Sequence, residues 1–463
     1  MNLIKKLFSP SDMTKGTPWK RIVLFAFPLL IGNIAQQLYS TVDSIVVGKY
    51  VGDNALAAVG SATPIFNLLL VLFIGISTGA SIMVSQYFGA KQKENLSQAI
   101  GNCITLTAIA SLFMMGLSVI VIRPLLEILN TPLSIIDWCQ SYLTILLLGV
   151  AGMAYYNILG GILRGLGDSV SALFYLLIAT VINVVLDIYF VAGLNMGVSG
   201  VALATVIAQA ISSILCFMKL VKMKDAFDLK ANHFIPNKYQ SLTLIRLGLP
   251  SGLTQAIMSL AMITVQSLTN SFGEQVIAAS VIIMRVDGFA MMPNFSFGNT
   301  MTTFAGQNVG ARRYDRVEQG AKQGTFIAVA TATVITAIIL IFGDFLMYAF
   351  TDTESLVHLS MSMMRILAVG YIAVAVTQSL SGIMRGAGDT MTPMWISIIQ
   401  TIIIRVPLAY AIAYFTKSQA LPNGAHQSIF ISLLISWVIG AIITFVIYRK
   451  GTWKEKAIEA QRK

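Results

Sequence analysis

Four residues of this chain return at one fixed distance. Gly52, Gln86, Gln98 and Arg164 recur as Gly273, Gln307, Gln319 and Arg385, each 221 positions later. The words around them recur as well. Gln86-Tyr-Phe-Gly89-Ala90-Lys91 answers Gln307-Asn-Val-Gly310-Ala311-Arg312, and Gly161-Ile-Leu-Arg164-Gly-Leu-Gly167-Asp168 answers Gly382-Ile-Met-Arg385-Gly-Ala-Gly388-Asp389. Each half must therefore fold in the same way. In an apolar chain, such a duplication points to a device that moves a solute across a bilayer, because two alike lobes can rock about a site lying between them.

That the chain is apolar follows from its composition. Of 463 residues, 56% are hydrophobic and 11% charged, against about 25% charged in an average soluble domain. A membrane-spanning helix needs roughly 20 mostly apolar residues. Twelve such runs lie near 22–46, 55–84, 98–121, 139–162, 170–192, 198–220, 246–270, 276–304, 322–343, 363–384, 391–415 and 428–448. Six fall in each half. An even number returns the chain to its starting face, so the second half begins in the orientation of the first. The expected fold is an all-α polytopic membrane protein of twelve transmembrane helices in two pseudo-symmetric six-helix bundles, a parallel repeat. Its expected divisions are an N-lobe over 1–220, an inter-lobe linker over 221–244, a C-lobe over 245–448 and a basic tail over 449–463.

Basic residues orient the helices, since Lys and Arg collect in loops left in the cytoplasm. Placing the N-terminus inside puts 25 of the 31 Lys and Arg on that face and only Lys49, Arg123 and Lys417 on the other. Both termini and the linker are then cytoplasmic, and the expected location is the cell membrane. The net charge of +11 is explained by this topology and by anionic lipid, so no nucleic-acid partner is expected. The first apolar run has no small-residue cleavage site after it and is expected to remain as a helix. Cys103, Cys139 and Cys216 lack metal-ligand spacing, and His233, His358 and His426 all fall in loops. Little material remains for a metal or histidine catalytic centre, and no loop has room for a soluble catalytic domain. An enzyme is not expected, and neither is a cofactor beyond a coupling ion.

An ionisable group at membrane depth costs about 2.5–3.5 kcal/mol even on the most lenient scale, so such groups are seldom decorative. Asp43, Asp187 and Asp287 qualify. Gln36, Tyr39, Ser40 and Asp43 recur at helical spacing and line one face of the first run; Asn183 and Asp187, four residues apart, share a face of the fifth. Two such carboxylates on facing helices can share a proton or hold a small cation. The bland reading of the same residues is hydrogen-bonded glue between helices. Asp287 is expected to pair locally with Arg285, and Arg164 and Arg385 with Asp168 and Asp389. Gly89-Ala90 and Gly310-Ala311 are read as turns that end long helices. Pro28 is the expected hinge, because proline deletes a helix hydrogen bond and Gly32 follows one turn later. Polar Gln36 and Asn157, with Met258, Met262 and Met292, are candidates for a solute cavity, since flexible polarisable side chains suit varied cargo.

At these residues the sequence resembles the multidrug and toxic compound extrusion family, in its DinF-like, prokaryotic branch. Members of that branch carry a polar network matched here in order and spacing by Tyr39 and Asp43, Tyr142 and Asn157, Asn183 and Asp187, and Thr205. The resemblance implies two six-helix bundles forming a V around a central cavity, exporting organic, often cationic, compounds in antiport with H+ or Na+ by alternating access. It also implies that these seven residues form the ion-coupling site. Asp187, Asn183 and Thr205 are an alternative set for Na+, since a hard cation prefers carboxylate, amide and hydroxyl oxygens. Sodium-coupled relatives of the NorM type place a Glu on the seventh helix and an Asp on the tenth. Here those stretches read Gln255-Ala-Ile-Met258-Ser259 and Ala375-Val-Thr-Gln378, without an acid, so coupling is expected in the N-lobe. The expected partners are small organic solutes and membrane lipids, and the expected state is a monomer. The rival readings are a flippase for lipid-linked precursors, which would want a basic cavity, and an integral-membrane enzyme.

Overall fold

The computed structural model describes residues 10–128, 131–419 and 421–462. Lys5, Lys6 and Lys463, counted above for topology, lie outside these residues, as does the side chain of Ser40. The first half folds as α1 (Pro18–Tyr50), α2 (Asp53–Gly89), α3 (Lys93–Ile128), α4 (Ile136–Leu148), α5 (Val150–Gly165), α6 (Ser169–Asp187) and α7 (Gly197–Val221). The second folds as α8 (Lys238–Ser271), α9 (Glu274–Gly310), α10 (Tyr314–Tyr348), α11 (Glu354–Ala368), α12 (Gly370–Gly386), α13 (Met391–Ile398), α14 (Val406–Phe415) and α15 (Ser428–Lys450), followed by α16 (Thr452–Arg462). Two π-helical stretches interrupt this order: Ile188–Gly193 extends α6, and Ile399–Arg405 joins α13 to α14.

Among the described residues, ten helices are long and apolar enough to span a membrane, and two bent pairs raise the number to twelve. The bent pairs are α4 with α5, at 52°, and α11 with α12, at 42°. They occupy the fourth and tenth apolar runs, where hydropathy continues straight through the bend. At the first bend a side chain on Gly149 would collide with Val206 of α7, so the chain turns where that helix packs closest.

The described residues group into two compact units. One holds Phe27–Gly252 with the described residues before Met13; the other holds Met13–Ala26 and the chain from Leu253 onward. Helix α1 changes unit just before Pro28, and α8 just after Pro250. In the first unit α5 packs against α2 and α7; in the second α12 packs against α9 and α15. Both contacts use the repeated glycines. A Cβ on Gly161 would stand 2.7 Å from the Ser77 carbonyl oxygen, and one on Gly382 would collide with the carbonyl of Gly298. Such close backbone approach is how apolar helices associate in lipid, which offers no hydrophobic drive of its own.

The repeated loop motifs repeat their backbone angles too. Gly167 and Gly388 sit at φ 86° and 95°, and Lys91 and Arg312 at φ 57° and 58°. The left-handed residue that closes α2 and α9 is thus the basic one, whereas Gly89 and Gly310 remain helical. The expected Arg164–Asp168 and Arg385–Asp389 pairs do not form. Asp168 caps α6 by accepting from the Ser171 amide (2.9 Å) and hydroxyl (2.7 Å) and meets Lys219 at 3.6 Å. Asp389 accepts from Thr392 in the same way and meets Lys456 at 3.0 Å. Asp168 is the N-cap of α6, and Asp389 makes the same contacts from one residue before the N-cap Thr390 of α13.

Candidate functional site

Inside the first unit, four helices bring polar side chains to one place. Helix α1 supplies Tyr39 and Asp43, which lie four residues apart and so on one face; α6 supplies Asn183 and Asp187 for the same reason. Thr205 comes from α7 and Tyr142 from α4. All are buried: Asn183 and Asp187 are 0% exposed and Asp43 9%.

Asn183 is the centre of the arrangement. Its amide satisfies its neighbours when the nitrogen points between the two carboxyl groups, an orientation assigned from the hydrogen-bond network. Nδ2 then donates to Asp43 Oδ1 at 2.9 Å and to Asp187 Oδ2 at 3.2 Å, and Oδ1 accepts from the Tyr39 hydroxyl at 3.3 Å. The Thr205 hydroxyl lies 3.5 Å from that same end of the amide. The Asp43 and Asp187 carboxyl groups are also within hydrogen-bonding reach of each other. Tyr142 is close enough to both acids to interact with them electrostatically. Asp187 Oδ1 is buried without a partner. Directly after Asp187 the helix widens into the π-helical stretch Ile188–Gly193, a feature frequent at functional sites.

The sequence also singled out Asn157, Gln36, three methionines and Pro28. Asn157 is half-buried on α5 and turned back on its own helix, with Nδ2 donating to the Met153 carbonyl at 2.8 Å. Gln36 is exposed, one turn before Tyr39. Met258 and Met262 are 38% and 47% exposed on one face of α8, while Met292 is buried on α9. Pro28 lies inside α1, which continues unbroken around it.

Asp287 departs from expectation. Arg285 is exposed and forms no ion pair with it among the described contacts. Asp287 instead interacts electrostatically with Tyr371, whose hydroxyl donates to Met364 Sδ at 3.6 Å, and with Arg405. Two residues along a helix are about 200° apart around its axis, so a neighbour at that spacing points away. Nothing in the sequence marked Tyr371 as a partner, because the contact exists only once α12 packs on α9.

Comparison with known proteins agrees with this architecture. The MatE family profile matches the chain twice, over residues 28–189 and 250–411, one copy in each half. The probable multidrug resistance protein YoeA of Bacillus subtilis is 28% identical over 452 residues, covering 96% of both chains. A solved structure of MATE in the straight conformation superposes with a TM-score of 0.88, at 26% identity, over 96% of this chain and 98% of the other. One of MATE in the bent conformation gives 0.89, at 26% identity, with the same coverage.

Proposed function

The chain belongs to the MatE family, and from that premise we propose that it is a secondary active exporter of organic, often cationic, compounds, driven by inward flow of H+ through the cluster at Asp43 and Asp187. One observation carries the reading: two acids buried in a multi-pass membrane protein meet across a single amide. In a purely structural network a second acid is unfavourable, since like charges in low dielectric repel. In a coupling site it is useful, because one proton held between two carboxyl groups is easily gained and lost.

The proposed cycle begins with proton entry from outside onto Asp43, supported by Asp187 and Asn183. Loss of the negative charge changes what α1 contributes to the cluster, and α1 bends near Pro28, closing the cavity and expelling the solute by alternating access. Gln36 and Asn157 of the first unit, and Met258, Met262 and Met292 of the second, are each proposed to meet the solute. The protein is proposed to act as a monomer in the cell membrane, with both termini cytoplasmic and no cofactor beyond the ion. That a solved relative exists in straight and bent conformations supports a two-state cycle.

A second reading, Na+ in place of H+, is favoured by the amide itself. Turned over, Asn183 would present its oxygen to Asp43 Oδ1 and Asp187 Oδ2 at the same separations, and three oxygens so placed suit a hard cation. Thr205 would then face the amide nitrogen rather than the ion.

Reconstituted vesicles with one gradient imposed at a time separate the two. A pH gradient alone should drive ethidium export, and Asp43→Asn and Asp187→Asn should each reduce it about 100-fold, the scale of losing a positioned proton carrier. Full drug–proton exchange in Asp43→Asn would overturn the proposal. Export under a sodium gradient alone would transfer it to Na+.

A further inference from the structure

We propose that a cavity between α4 and α7 of the first unit is a binding site for solutes that carry a protonated amine among hydroxyl groups. It shares no residue with the cluster at Asp43 and Asp187, and it does not rest on the exporter reading.

The cavity has a volume of about 510 Å³ and is lined by Asp137, Gln140, Ser141, Thr144 and Ile145 of α4 and by Ser199 of α7. That volume suits a small organic molecule. Offsets of three, four and seven from Asp137 put Gln140, Ser141 and Thr144 on its side of the helix, whereas Tyr142 between them is buried. Helix α3 shows which face the cavity opens on. Near its start the linker docks, with the Asp228 amide donating to Ser97 Oγ at 3.0 Å and Thr105 Oγ1 donating to the Phe234 carbonyl at 2.7 Å. Near its other end Arg123 reaches the cavity residues. Ser97 and Arg123 are 26 residues apart, about 39 Å along a helix. The cavity and the linker therefore lie on opposite faces of the membrane, and the cavity is on the outer one in the proposed topology.

The hydrogen-bonding capacity of this polar face is largely unused. Arg123 holds Glu127 at 3.0 Å, Asp137 Oδ1 at 2.8 Å and Gln140 Oε1 at 3.0 Å. The acid and the amide are thereby fixed in place, while Asp137 Oδ2 and Gln140 Nε2 make no hydrogen bond among the described contacts. Neither do the hydroxyls of Ser141, Thr144 and Ser199. Helical hydroxyls commonly fold back to a carbonyl one turn earlier, as those of Thr63, Thr107 and Thr180 do in this unit. Nor does the fold demand these side chains. The positions 221 later read His358, Met361, Ser362 and Arg365, and the bent pair they belong to forms without the acid and the amide.

Two acids against one base leave the cluster with one negative charge. The free oxygen of Asp137 accepts from an ammonium, the stronger kind of hydrogen bond. Hydroxyl side chains both donate and accept, so the three of them match the hydroxyls of a polyol, and Ile145 offers apolar surface to its carbons. An amino sugar combines these features.

Glucosamine and glucose test this, because they differ in one ammonium that replaces a hydroxyl. Binding of each to the purified full chain is measured by saturation-transfer NMR, at a pH that keeps the amine protonated. The parent should bind glucosamine about tenfold or more tightly than glucose, the scale of one hydrogen bond to a charged group. Asp137→Asn should reduce glucosamine to the level of glucose, and Ser141→Ala with Ser199→Ala should weaken both sugars. Asp43→Asn should change neither. A parent that does not bind glucosamine, or an Asp137→Asn variant that binds it unchanged, would overturn the proposal, as would loss of glucosamine binding in Asp43→Asn. None of these measurements involves transport, so they stand apart from the ethidium assay that tests the exporter reading.

Discussion

An amide nitrogen between two carboxyl groups, as in Asn183, gives each a hydrogen bond without bringing a charge. Asn183→Leu would remove both bonds at nearly constant volume and leave Asp43 and Asp187 facing each other across apolar surface. An unmet buried acceptor costs about 1–3 kcal/mol, so the apparent melting temperature in detergent should fall by several degrees. Ethidium efflux should fall about tenfold or more although both acids remain. A lowered melting temperature with unchanged efflux would make Asn183 mere glue between α6 and its neighbours. Part of this cluster was legible beforehand: Asn183 and Asp187 share a face by helical period, and the same period joins Tyr39 to Asp43. What the period could not supply was the partner across helices. The meeting of Asp43 and Asp187 across Asn183 arises from packing between elements far apart in sequence. The expectation of local Arg–Asp pairs failed for a related reason, since Asp168 and Asp389 are engaged by the first turns of the helices that follow them.

At the scale of elements, hydropathy located all twelve spans, because length and apolarity suffice for that. It could not reveal that the fourth and tenth spans bend, since the apolar run does not change where Gly149 admits Val206. Nor could it show π-helical stretches, which differ from α-helix by one residue per turn and leave no compositional mark. Proline leaves a clear mark. Pro28 lacks the amide that would bond the Leu24 carbonyl, and it stands where α1 passes between units. Pro28→Ala restores that bond and stiffens the helix. The expected result is a several-fold lower rate of dye export with dye affinity unchanged, read by comparing turnover in vesicles with equilibrium binding. An equal rate would show the bend to be static. The glycine contacts give a different test, of stability alone. Gly161→Ala pushes a methyl group against the Ser77 carbonyl, and overpacking of this kind costs about 1–3 kcal/mol. Gly382→Ala should cost a similar amount in the second unit. Each should lower the apparent melting temperature, and the double variant should show the sum of the two shifts, because the sites share no neighbours.

At the scale of the whole molecule, duplication has kept the backbone and released the chemistry. The loop glycines and the left-handed Lys91 and Arg312 repeat across the halves, and the two family matches begin 222 residues apart, while the buried charges of the two units do not match. Energy input is therefore expected from the first unit alone, and its geometry sets how much. Asp43 and Asp187 are close enough for one proton to serve both, so a cycle should admit one proton. Exchange of one proton for one monovalent cation moves no net charge, and the membrane potential, worth about 2.3 kcal/mol per charge per 100 mV, then does no work on it. Only the pH difference remains, at about 1.36 kcal/mol per unit, which sustains about a tenfold concentration ratio of cargo per pH unit. In vesicles carrying the parent chain, a potassium diffusion potential without a pH gradient should drive no ethidium export. A one-unit pH gradient with the potential clamped should hold the ratio near ten. Export driven by potential alone would require a second proton per cycle, so that Asp43 and Asp187 each carry one rather than share it.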